Sequence, residues 1–281
     1  MAGTDKVLTV AMTGATAGLG RATVPLLARR GARLVLLARN LVKAEVVAGE
    51  VRKAGSPQVD VVACDLSLMA SVRQAVADMA VRDVQVDVIV NDAAMVAPTR
   101  QVTAEGNELM LATNYLGPCL LSRLIIDGMP EGSPVRLVSV GGPLDAKPDL
   151  TDLDCVRSFL VKTAFERSKT ASNLFTAAVP SRVGAAVQSA IYSPGLMRTG
   201  LSATIAGAMN RVAGGLAGHV LPDPAAMADG LARLVLDTDL GGVEPGSLFN
   251  SRGQASPMPL ADDIDLQAAL WRATSERLGL G

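Results

Sequence analysis

The stretch with the clearest chemical meaning is Thr13-Gly14-Ala15-Thr16-Ala17-Gly18-Leu19-Gly20, which follows an apolar run and opens a helical pattern. Glycines there permit a tight turn and bring backbone N–H groups close to a pyrophosphate, which the N-terminus of the following helix also attracts. The spacing Gly-x-x-x-Gly-x-Gly is one residue longer than the usual dinucleotide fingerprint, and glycine-rich turns are common, so context must give it weight. Context comes from the next apolar run, which ends in Ala38-Arg39-Asn40 with no acid to take a ribose 2′-hydroxyl. The guanidinium of Arg39, with Arg21 as a second candidate, suits the oxygens of a 2′-phosphate, so NADP is the expected cofactor. A solvated surface charge is the plain alternative for either arginine.

The elements that must position this turn are legible in the alternation of patterns. Residues 7–12, 33–38, 59–64, 86–90, 135–140 and 186–192 are short, nearly continuous apolar runs that read as strands. Helical patterns fall between them at 19–30, 42–53, 68–81, 103–127 and 159–178. Strands apolar on both faces and separated by helices suit a parallel sheet covered on both sides. The expected fold is α/β, a doubly wound parallel sheet of Rossmann type in a single domain over residues 1–281. Two segments interrupt the alternation. Residues 141–153 hold three Asp and two Pro and read as a loop beyond a strand's carboxyl end. Residues 199–223, rich in Gly, Ala and Met, read as an apolar flap over the site, where a bulky apolar ligand would sit. Residues 266–278, with Trp271, read as an amphipathic packing helix.

Composition narrows the function classes. Of 281 residues 49% are hydrophobic and 19% charged, enough for a sizeable core and against wholesale disorder. Lys and Arg number 26 against 27 Asp and Glu, and only seven residues are aromatic, so neither a basic face nor a base-stacking platform for nucleic acid is expected. Despite a mean hydropathy of +0.33, no uninterrupted apolar run approaches the roughly 18–20 residues of a membrane span. The first residues do not read as a signal peptide. Cys64, Cys119 and Cys155 are odd in number and lack Cys-x-x-Cys spacing, and His219 is the lone histidine. No disulfide framework or metal site is expected, and a reducing cytoplasm fits best.

With these motifs in place the sequence resembles the short-chain dehydrogenase/reductase family, especially its retinol-dehydrogenase-like branch, over nearly the whole chain. Beyond the glycine turn the resemblance rests on Cys64-Asp65-Leu66 after the third strand and Asn91-Asp92-Ala93-Ala94 where the family has Asn-Asn-Ala-Gly. It also rests on Thr113-Asn114-Tyr115-Leu116-Gly117, on Ser168-Lys169, and on Ser193-Pro194-Gly195 followed by Arg198-Thr199. It implies cofactor contacts from Gly14, Thr16, Gly18, Leu19, Gly20, Arg39, Asp65, Leu66, Asn91, Lys169, Pro194, Gly195 and Thr199. Asp65 would meet the adenine and Thr199 the nicotinamide amide. It implies catalytic roles for Lys169 and Asn114, and the family's habit of forming dimers or tetramers makes a homo-oligomer the expectation.

The chemical end departs from the family. Its members use a tyrosine as acid or base, a lysine four residues later that lowers the tyrosine's pKa and binds the nicotinamide ribose, and a serine that orients the substrate oxygen. Positions i and i+4 share one helix face, so that spacing aims both groups into one site. Four residues before Lys169 stands Phe165, which has no hydroxyl. The serine's place falls on Gly142, three residues past Ser139, and Ser139 reads as a strand residue. Asp92 and Ala94 depart from the family beside the nucleotide. Substitute proton carriers are Lys169, whose pKa desolvation can lower, and Asp145, Tyr192, Tyr115 and His219. For each there is a plain reading as well: ribose binding for Lys169, and solvent exposure or packing for the others.

Three functions stay open. The first is an NADP(H)-dependent enzyme acting on a bulky apolar small molecule without the usual tyrosine acid, as reduction of an iminium ion or activated enone would allow. The second is redox-neutral cyclisation, isomerisation or dehydration with the dinucleotide as a fixed pocket wall. The third is a noncatalytic nucleotide- or partner-binding protein.

Overall fold

The structure is a computed structural model, and it describes residues 7–184, 186–195, 197, 222–236, 240 and 242–281. Eight strands form one sheet: β1 (Thr9–Thr13), β2 (Arg33–Ala38), β3 (Val59–Ala63), β4 (Val88–Asn91), β5 (Val135–Val140), β6 (Val187–Ser193), β7 (Leu248–Asn250) and β8 (Ala255–Ser256). Their order is β3-β2-β1-β4-β5-β6-β7-β8, parallel throughout except for the antiparallel edge strand β8. The chain steps outward from β1 to β3 and then crosses back to place β4 on β1's other side. That reversal opens a crevice at the strands' carboxyl ends, where open α/β sheets bind ligands.

Alternation along the strands explains why they read as continuous apolar runs. Val10, Met12, Leu34, Leu36, Val88 and Val90 join one core with the helices α1 (Gly18–Arg29), α2 (Leu41–Lys53) and α6 (Ala225–Leu236). Ala11, Val35, Leu37, Ile89 and Leu137 join the other. Its helices are α3 (Met69–Val81), α4 (Leu109–Asp127), α5 (Val161–Val183) and α7 (Ile264–Leu278). Successive side chains leave a strand on opposite faces, and both faces are covered, so apolar residues are needed at every position. The result is the single-domain, doubly wound α/β fold expected.

Several boundaries differ from the sequence pattern for identifiable reasons. The helix expected from residue 103 begins at Leu109, because the Glu108 carboxylate accepts the Met110 and Leu111 N–H groups and caps it there. Upstream, Val102 bridges antiparallel to Glu108, and the Glu105 carboxylate instead caps α3 through Met69 and Ala70 N–H. The helix expected to end at residue 178 runs to Val183, its last turn accommodating Pro180. Asp263 caps α7 at Leu266 N–H, which starts that helix two residues early. Helix α6 and strands β7 and β8 have no counterpart in the sequence reading. Residues 141–153 form no regular element, as expected. Most of the expected flap at 199–223 lies outside the described residues.

Helix α4 is long and apolar enough to cross a membrane by length and composition, with a mean hydropathy of 1.4, but 78% of that stretch is buried inside the fold. Its outer side is closed by α7. Tyr115 hydroxyl and Thr274 Oγ1 lie 2.6 Å apart, Trp271 stacks on Phe175 at 5.6 Å, and the Arg123 guanidinium sits 5.0 Å from the Trp271 ring centre. Arg277 adds hydrogen bonds to Asn107 and Asp154.

Candidate functional site

Strand β1 ends at Thr13, whose hydroxyl donates to Val90 O and accepts the Ala93 N–H, clamping the turn after β1 to the end of β4. Gly14 and Gly18 take φ of 77° and 52°, where an L side chain is strained. Helix α1 starts at Gly18 with Ala17 as its N-cap and no side-chain cap, so its first donors, at Gly18 and Leu19, face the crevice unclaimed by a cap. Thr16 is half-buried in the turn and the Leu19 side chain is in the core. This donor set fits a pyrophosphate.

The glycines also have a second purpose. A Cβ at Gly14 would stand 2.6 Å from Asp92 Oδ2 and 2.7 Å from Ala93 N, and a Cβ at Gly20 2.5 Å from the same Asp92 oxygen. Asp92, expected only to hydrogen-bond within the sheet, reaches under the turn and accepts the Gly20 N–H. Burial pushes its carboxyl up to about 7, against the opposing pull of Lys169 and the Gly20 hydrogen bond. The acid at this place in Asn91-Asp92-Ala93-Ala94 was the available sequence signal. Its reach across to α1 was not.

Lys169 is 7% exposed, and its ammonium donates to Val140 O at 2.7 Å. Burial lowers its pKa to about 8, and the Asp92 carboxylate holds it from falling further. One turn earlier on α5, Phe165 packs with Met95, Val96 and Phe159 around a small cluster of Ala97, Met110, Cys155 and Ala164. One turn later, Asn173 donates to Gly142 O at 2.8 Å, leaving its own Oδ1 buried without a partner. Sequence reasoning passed over Asn173, although its spacing of four from Lys169 places both on one helix face. A Cβ at Gly142 would meet nothing within 4 Å. Ser139 is turned away into the core, 2.7 Å from Thr176 Oγ1.

Asn114 lies in a π-helical segment, Ala112–Leu116, within α4, the kind of bulge often found at functional sites. Its side chain is 1% exposed and makes three hydrogen bonds. Oδ1 accepts the Met95 N–H at 2.8 Å, while Nδ2 donates to Met95 O at 3.0 Å and to Ser168 Oγ at 3.1 Å. These bonds tie the loop after β4 to α5 through Asn114, the residue for which a catalytic role is expected.

At the opposite end of the crevice, Arg39 is exposed and makes no ion pair among the described residues. Arg21, the second candidate, pairs its guanidinium with Glu50 at 2.5 Å. Asp65 Oδ1 accepts from Ser67 N at 2.9 Å and Ser67 Oγ at 2.6 Å, which fixes the carboxylate in the loop. Leu66 is buried, and its carbonyl lies so close to α4 that only a glycine fits at Gly117. Asn91 turns its Nδ2 inward to Ser122 Oγ at 2.9 Å, and its Oδ1 is buried without a partner among the described residues. Pro194 is half-buried and Gly195, at φ 74°, is exposed just past β6. Thr199, Arg198 and His219 lie outside the described residues.

The other proton candidates among the described residues are placed away from the crevice or in solvent. Asp145 is exposed, Tyr192 is buried with its hydroxyl donating to Met227 O, and Tyr115 is buried on Thr274. Among the described residues no group of three or more His, Cys, Asp or Glu is placed to hold a metal ion. Among the described candidates, Lys169 is the one that the structure brings to the glycine turn.

Residues 8–209 match the family described as short chain dehydrogenase. Retinol dehydrogenase 13 of Mus musculus is 28% identical, with 97% of this chain and 84% of that protein covered. Polyprenol dehydrogenase of Homo sapiens is 29% identical, with 98% and 86% covered. The crystal structure of an uncharacterized protein from Mycobacterium paratuberculosis superimposes with a TM-score of 0.74 at 26% identity, covering 97% of this chain and 94% of that one. A family match over the glycine turn, the crevice and Lys169, with relatives aligned almost end to end, places this chain in the short-chain dehydrogenase/reductase family, on its retinol-dehydrogenase-like branch.

Proposed function

We propose that the protein is an NADP(H)-binding oxidoreductase that acts on a bulky apolar small molecule without a tyrosine acid. One observation carries the reading. Lys169, desolvated and with a pKa near 8, stands beside an open glycine turn, while Phe165 occupies the position one helical turn before it. Bound NADPH would supply a hydride. The chain's own residues then have separable tasks. The Gly18 and Leu19 N–H groups hold the pyrophosphate, and Arg39 takes the 2′-phosphate at the end of β2. Lys169, held on Val140 O, carries a proton close to the working pH and can release it to a substrate that needs only weak acid assistance, such as an iminium ion or activated enone. Asn114 holds the Met95 loop that borders the site.

The apolar substrate class is supported by the half-buried Met95, Val96, Phe159 and Phe165 beside Lys169, and by two relatives whose names specify apolar alcohols, retinol and polyprenol. A redox-neutral reading keeps one observation in its favour, the open space at Gly142, which leaves room for a substrate reshaped by positioning alone. The three cysteines, all buried and unpaired, support a reducing cytoplasm as the working compartment.

The test is calorimetric titration of cofactor-stripped protein with NADPH and NADH, followed by turnover of apolar carbonyl, iminium and enone compounds. Micromolar NADPH binding with NADH at least about tenfold weaker, and stoichiometric NADPH consumption, are expected. Product formed without NADPH oxidation would move the assignment to redox-neutral catalysis. Absence of binding to either dinucleotide would move it to a noncatalytic protein.

A further inference from the structure

Asp92 lies where a negative charge most directly affects an incoming anion. Its carboxylate claims the Gly20 N–H, one of the first donors of α1, and sits immediately beneath Gly14 and Gly20. The turn above is the one assigned here to a pyrophosphate, which carries two negative charges. A carboxylate and a phosphate brought together in a desolvated crevice each favour the other's protonation. The elements packed around Asp92 offer little compensation. β1 presents Thr13, the turn after it Gly14, α1 presents Gly20, and β4 presents Asn91, none of them charged. Lys169 of α5 is the charged side chain that acts on Asp92, and its ammonium is itself engaged by Val140 O.

We propose that Asp92 is a cofactor-site residue that takes up one proton from solvent as a dinucleotide binds, so that the pyrophosphate is held above a neutral carboxyl group. The proposal rests on the reading of this turn as a dinucleotide site. A neutral carboxyl keeps an oxygen for the Gly20 N–H, so the turn is not dismantled. Because burial already brings the free carboxyl near neutrality, the field of an arriving anion suffices to convert it. Lys169 responds in the same sense, since the same anion favours its protonated, charged form, and comparison with Asp92→Asn isolates the contribution of the carboxyl. An asparagine would provide the same acceptor without a proton. The aspartate therefore makes dinucleotide affinity fall as pH rises above about 7, up to about tenfold per pH unit.

The experiment uses the full chain labelled with carboxyl-¹³C aspartate, titrated from pH 5 to 9 with and without saturating NADP⁺. Asp92→Asn, or Asp92→Ala should the first variant fold poorly, identifies the resonance by its disappearance. The Asp92 signal is expected to titrate near neutral pH in the free protein and at least one pH unit higher with NADP⁺ bound. Asp92→Asn is expected to bind NADP⁺ several-fold more tightly than the unsubstituted protein at pH 8 and equally at pH 6. Intact NADP⁺ binding with an unmoved or lowered Asp92 midpoint overturns the proposal while leaving the dinucleotide reading standing. No binding of NADP⁺ at any pH, with or without the substitution, refutes that reading, and the proposal falls with it.

Discussion

Restoring a hydroxyl to α5 tests how much of the reductase machinery this crevice still presents. The perturbation is Phe165→Tyr combined with Gly142→Ser. At Gly142 a Cβ meets nothing within 4 Å, and the hydrogen bond from Asn173 goes to the Gly142 carbonyl, which a serine retains. At residue 165 the ring already packs beside Met95, Val96 and Phe159, so tyrosine adds one oxygen on the face shared with Lys169. Leaving that oxygen unpaired would cost about 1–3 kcal/mol, and contact with a substrate oxygen or Lys169 offsets it. A positioned general acid contributes about 10²–10⁴-fold, or about 3–5 kcal/mol of barrier. The double variant should therefore reduce a long apolar aldehyde at least about 100-fold faster than the unsubstituted protein in kcat/KM, read as NADPH consumption, with either single change giving less. A folded double variant that binds NADPH unchanged yet gains no aldehyde reduction would refute the claim that the missing hydroxyls limit this chemistry.

Further outcomes follow from individual contacts. Arg39→Ala should weaken NADPH by about tenfold or more while leaving NADH within twofold, since only the 2′-phosphate interaction of about 1.5–3 kcal/mol is removed; calorimetry reads both. Gly117→Ala drives a methyl into the Leu66 carbonyl and should lower the thermal midpoint by several degrees without touching the glycine turn. Burial holds Asp92 near 7 against an ordinary value of 3.8, so the folded state binds more protons than the unfolded between those values. Its contribution to stability is fully present below the unfolded value and is lost as pH rises through the folded one, so Asp92→Asn should gain stability relative to the unsubstituted protein from pH 5 to pH 8 in thermal melts. Trp271→Ala removes the stacking on Phe175 and the Arg123 contact, and should cost about 2–4 kcal/mol in denaturant titrations. Because α7 covers the outer sides of α4 and α5, the intact chain should not pair through those helices, and light scattering should show association through them only after residues 264–281 are removed.

The sheet was legible because burial on both faces demands apolar residues at every strand position, and β2, β5 and the glycine turn stand where that pattern places them. Helix starts were less legible. The side chains that end a frame, Glu108 and Asp263, act through backbone N–H groups that a periodicity does not display. The short strands β7 and β8 depend on pairing with β6 and with each other, so their residues carry no local pattern.

Within the site, the chemical inventory is already written in the chain: a glycine turn after a strand, an arginine and no acid at the end of β2, Lys169, and a phenyl ring four residues earlier. Those are facts of residue type and short spacing, which a helix or strand converts directly into geometry. The tertiary structure decided which members of that inventory act together. It carried Arg21 to Glu50 and committed Asn114 to the Met95 loop. It also brought Asp92 beneath Gly14 and Gly20, within the field of Lys169. Each of those outcomes joins residues 19 to 78 positions apart. Their energies depend on distance and desolvation in the packed crevice, neither of which is a property of the chain until the sheet has formed.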